Sequence, residues 1–157
     1  MLQRIQSVYL SLAALLNLGS LFLPTWTFQK DMGETINGMG IDAGTGHQSL
    51  TEHPLHLVWV LLTVSVSAFI FYVIFQYKDH KRQIFLCNLV GILAILQIAL
   101  TVIFSYMGPY IVLSGSDVKE TPGMGFFLLP VVLLLLMLGR KGIQKDWNLL
   151  KSVDRIR

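Results

Sequence analysis

His47, Glu52, His53 and His56 crowd into ten residues of the chain, and imidazole and carboxylate are the side chains that hold zinc or copper. Their spacing matches no established ligand pattern. Pro54 also breaks any helix that would set His53 and His56 on one face. The expected role is a set of solvated histidines at a membrane edge, with a metal site at His47, His53 and His56 as the alternative. No cofactor is expected. A second group could carry polar chemistry inside a membrane. Asn17 and Ser20 share a helical face with Ala13, and Gln97 and Thr101 form an i, i+4 pair. Such amides and hydroxyls either line a path for a solute or bond one helix to another, and interhelical bonding is the expected role. The lone cysteine, Cys87, allows no intrachain disulfide and no thiolate metal cluster within one chain. There is no paired carboxylate, no phosphate-cradling glycine loop and no metalloprotease helix motif, so the chain is not expected to be an enzyme.

The elements that position these residues follow from composition. Of 157 residues, 54% are hydrophobic and 13% charged, against about 25% charged in a soluble domain. A soluble core of this length could not hide so much apolar surface, whereas a bilayer can. A helix needs roughly 20 apolar residues to cross the hydrocarbon. Four segments qualify, at about 5–23, 55–75, 84–107 and 124–138. Pro24 bounds the first, Gly108-Pro109 the third, and Gly139-Arg140-Lys141 the fourth, which contains Pro130 and is expected to kink there. The first is too long for a cleaved signal segment and lacks a small-x-small site after it. The expected fold is an all-α membrane protein, one domain over 1–157. It is an antiparallel four-helix transmembrane bundle with a C-terminal cytoplasmic amphipathic helix.

Charge gives the orientation. Ten of the twelve Lys and Arg residues lie before the first segment, between the second and third, or after the fourth. Lys30 and Lys119 are the exceptions. By the positive-inside rule both termini are expected in the cytoplasm. Trp26, Trp59, Tyr106 and Tyr110 fall near the outer interface, and Tyr72, Tyr77 and Trp147 near the inner one. The outer loops are 25–53 and 108–123. Asn37-Gly38 is a hairpin-turn signal in the first, and Tyr110-Ile111-Val112-Leu113 reads as a short strand in the second. Two strands, one from each loop, could pair above the helices.

No Asp, Glu, Lys or Arg lies inside any span. Proton-coupled pumps and small multidrug exporters usually keep a buried carboxylate to hold the proton or the cationic drug, so its absence weakens that analogy. The tail, 140–157, places Ile143, Trp147, Leu150 and Val153 at helical spacing and carries six basic residues suited to anionic headgroups. No nucleic-acid-binding motif accompanies the basic charge. Asp154 falls among the apolar positions of the tail and wants a partner. A tail folded back onto Arg4, with Gln3 and Gln6 beside it, would supply one.

The two ends, Gln3-Arg4-Ile5-Gln6 followed by Val8-Tyr9-Leu10, and Lys151-Ser152-Val153-Asp154-Arg155-Ile156-Arg157, carry a resemblance. The chain resembles, over its whole length, a family of small four-span bacterial integral membrane proteins catalogued only as a domain of unknown function. The resemblance implies a multi-pass protein of the bacterial inner membrane and brings no activity, cofactor or substrate. The expected function is a non-enzymatic scaffold or accessory subunit that works through a membrane protein partner, a homo-oligomer or the lipid bilayer. The alternative is a small transporter or channel using the Asn17 and Gln97 belt.

Overall fold

In the computed structural model, the backbone is described over residues 5–30, 35–38, 54–77, 79–112 and 118–154, and side chains over 5–27, 56–77, 79–107 and 121–152. Four long helices account for most of it: α1 (Ile5–Gly19, continued by a 3-10 turn over Ser20–Phe22), α2 (Pro54–Phe75), α3 (His80–Val112) and α4 (Met124–Asp154). Each is long and apolar enough to cross a membrane. Large apolar side chains stand exposed along all of them, among them Leu15, Val64, Ile92 and Leu134, as lipid rather than water would require.

Helix α1 packs on α4 and α2, and α3 packs on the same two helices. The main core lies between them, built on Leu10, Ala13 and Ala14 of α1 with Ile70, Val90 and Leu136 from the others. A smaller cluster of Leu21, Trp59 and Phe104 closes the end from which α1 exits. Small residues set the closest approach. A Cβ at Gly139 would meet Leu10 Cδ2 at 3.0 Å, so a side chain there would push Leu10 aside where α4 lies against α1.

Above that end sits a three-stranded sheet of order β2-β1-β3, an addition to the all-α expectation. Its strands are β1 (Trp26–Lys30), β2 (Thr35–Gly38) and β3 (Val118–Pro122). β1 pairs antiparallel with both neighbours, Trp26 opposite Gly38 on one side and Pro122 on the other. The segments after α1 and after α3 are therefore joined, as the two-strand expectation held. The strands themselves are different ones. Asn37-Gly38 is part of β2 and is not a turn, because β1 and its partner are connected through 31–34, outside the described residues. Residues 110–112 continue α3 instead of forming a strand. Pro109 lies in the last turn of α3, where it forfeits a single backbone bond, so Gly108-Pro109 does not stop the helix. Gly123 stitches sheet to helix: its N–H donates to Thr25 O at 2.9 Å, and a Cβ there would fall 2.1 Å from Pro24 O.

Helix α4 does not end at Gly139-Arg140-Lys141. It runs unbroken for 31 residues to Asp154, through Pro130. The charged residues end an apolar run, but Lys and Arg are good helix formers and give the backbone no reason to stop.

Candidate functional site: a polar belt between the helices

The hydroxyls of α2 and α3 share one local habit. Thr63 Oγ1 donates to Trp59 O at 2.9 Å, Ser67 Oγ to Thr63 O at 2.9 Å and Thr101 Oγ1 to Gln97 O at 2.8 Å. Each hydroxyl thus gives its proton to the carbonyl one turn back and turns its lone pairs toward a neighbouring helix.

Those lone pairs are taken. Asn17 Nδ2, from α1, donates to Ser67 Oγ at 2.9 Å and to Thr63 O at 3.1 Å. Gln97 Nε2, from α3, donates to Thr63 Oγ1 at 2.9 Å. Trp59 Nε1, from α2, donates to Thr101 Oγ1 at 3.1 Å. Ser20 Oγ caps the belt on the α1 side by donating to Asn17 O at 2.7 Å. The belt spans α1, α2 and α3 with Thr63 at its centre. Asn17 and Gln97 are each 1% exposed, and Thr63 and Thr101 are fully buried. Asn17 Oδ1 is left without a partner. Both belt residues singled out in the sequence are therefore in one network. Thr63, Ser67 and Trp59, which connect them, are residues whose helical spacing alone did not link them to Asn17.

At the opposite end of the helices the arrangement is looser. Gln6 and Gln83 are buried, Gln83 Nε2 donates to Val73 O at 3.2 Å, and both Oε1 atoms lack partners. Trp147 is half-buried; its ring stacks on His80 at 5.9 Å between centroids, and Lys81 Nζ lies 5.8 Å from its centre. The pairing of α4 with the start of α3 through Trp147 was not legible in the spacing of the tail. Gly142 lies against Gln6 at this end. Asp154 follows twelve residues later on the same unbroken helix, about 18 Å further along the axis. The pairing of Arg4 with Asp154 expected from the sequence depends on Arg4 and the Asp154 side chain, which lie outside the described residues.

His47 and His53 also lie outside the described residues, and so does Glu52. His56 is buried beside Trp59, with ring centroids 6.5 Å apart, which is not the solvated position expected for it. Among the described residues no group of three or more His, Cys, Asp or Glu side chains could hold a metal.

Helices of this length and surface, with their polar side chains turned inward onto one another, define a multi-pass membrane protein. Its family follows from the chain as a whole. Residues 2–156 match the family described as Domain of unknown function (DUF4293), and the chain belongs to it. No curated protein and no solved structure matches.

Proposed function

We propose that this protein is a non-enzymatic membrane scaffold or accessory subunit, an antiparallel four-helix bundle with both termini in the cytoplasm. The reading places it in a bacterial inner membrane, with the basic residues of the α2–α3 connection and of α4 on the cytoplasmic side. One observation carries the choice over transport: the side-chain N–H donors of the belt are engaged by neighbouring helices. A solute path needs groups free to exchange partners. Here the Asn17 and Gln97 amides and the Trp59 indole each donate to a group on another helix, at 2.9–3.1 Å. The belt reads as a lock between helices.

Crosslinking in native membranes, followed by identification of what is captured, tests this directly. A reproducible partner, or a second copy, is expected. Empty capture together with flux lost in Asn17→Leu and Gln97→Leu at unchanged thermal stability would favour the transporter reading instead.

A further inference from the structure

Between α3 and α4, toward the basic end, runs an open groove of about 440 Å³. Its walls are apolar for most of their length, with Ile95 on one side and Leu133 and Met137 on the other. Gly91 forms part of the floor, and a Cβ built on it would meet nothing within 4 Å. Unlike Gly139, then, Gly91 is not there to let two helices touch. It leaves space.

Two polar groups line the same groove, Asn88 and Arg140. Both are exposed, and neither makes a hydrogen bond or ion pair among the described residues. Asn88 lies seven residues beyond Lys81 on α3, roughly 10 Å deeper into the membrane. An amide facing hydrocarbon there is costly unless something bonds to it. Arg140 is the first charge after the apolar part of α4, and a long side chain at that level brings its guanidinium to the headgroups.

A cation at headgroup level, an amide below it and an apolar slot below that follow the order of groups along a phospholipid: phosphate, ester carbonyl, acyl chain. We infer that this groove holds one anionic phospholipid. Its phosphate lies on Arg140, its ester carbonyl accepts from the Asn88 amide, and its chain runs past Gly91 between Ile95 and Leu133. Charge complementarity favours a lipid over a second copy of the chain, because a copy docked here by two-fold symmetry would bring Arg140 toward Arg140. The inference rests on the membrane-embedded part of the proposed function and is independent of any partner protein.

Native mass spectrometry of the full chain in detergent, titrated with phosphatidylglycerol or phosphatidylcholine, tests it. One tightly held phosphatidylglycerol is expected, with phosphatidylcholine bound more weakly. A Cβ at Gly91 has open space around it, so Gly91→Leu puts its side chain into the slot and is expected to abolish the tight site. Arg140→Gln is expected to weaken phosphatidylglycerol by roughly fivefold, bring it level with phosphatidylcholine, and leave thermal stability unchanged. Equal binding of both lipids by the wild-type chain, or tight binding that survives Gly91→Leu in a folded variant, overturns the assignment. So does a dimer that is lost in Asn88→Leu and unaffected by lipid. Partner capture in native membranes reads separately, so the lipid site can fail while the scaffold reading stands, and the reverse.

Discussion

Asn17 and Asn88 are the same side chain on two neighbouring parts of one membrane protein, in opposite circumstances. Asn17 is buried on α1 and donates to two oxygens of α2. Asn88 is exposed on α3 and lines the groove between α3 and α4. The difference teaches that the presence of a polar residue in an apolar span says little about its role. What decides is whether a neighbouring helix presents an oxygen at the right height. The i−4 hydroxyl bonds of α2 create such oxygens opposite Asn17, and α4 offers Asn88 mostly Leu and Met.

The sharpest way to break this contrast is at the centre of the belt. Thr63→Val keeps the shape but removes the acceptor of Gln97 Nε2, leaving a buried amide unpaired. Thermal unfolding in detergent is expected to show a loss of about 2 kcal/mol. Asn17→Leu, which forfeits two interhelical bonds, is expected to cost about 1.5 kcal/mol in the same measurement. Adding Gln97→Leu to Thr63→Val is expected to recover part of the Thr63→Val loss, since replacing both partners removes the unpaired donor. Additive losses in that double mutant would show that the Thr63–Gln97 bond is not what holds the two helices. Asn88→Leu stands at the other extreme: stability is expected to change by less than about 0.5 kcal/mol. A large loss there would mean that Asn88 has a protein partner and would erase the contrast.

The spans were readable because lipid imposes an unusual demand. α2 begins and ends within a residue of the uncharged run, since Pro54 and the polar residues after Phe75 coincide with true helix ends. α3 and α4 overran the reading for one reason. Hydropathy marks only the apolar part of a helix, and these two continue past it, α3 starting at His80 and α4 reaching Asp154. Gly139 misled in a more instructive way. A glycine before two basic residues looks like a helix stop, whereas here its missing side chain makes room for Leu10 of α1. That reason exists only once the two helices are side by side. The belt was half legible: Asn17, Gln97 and Thr101 were visible as buried polar residues, but Thr63, the partner that Asn17 and Gln97 share, depends on the relative height of α1, α2 and α3. The groove was not legible at all, because Gly91 and Arg140 are far apart in sequence and meet only across the α3–α4 contact.

The hydroxyls of the belt also set a limit on what could travel along it. A proton wire works by letting each oxygen swing, passing one hydrogen forward and receiving another behind. Thr63, Ser67 and Thr101 have their hydrogens committed to backbone carbonyls of their own helices. Forward transfer would require each to release the backbone carbonyl it now bonds. Asn17, Gln97 and Trp59 hand over N–H hydrogens that do not dissociate near neutral pH. On the scaffold reading proposed above, this row of polar groups serves as a fastening between helices, and proton conduction along it is not expected.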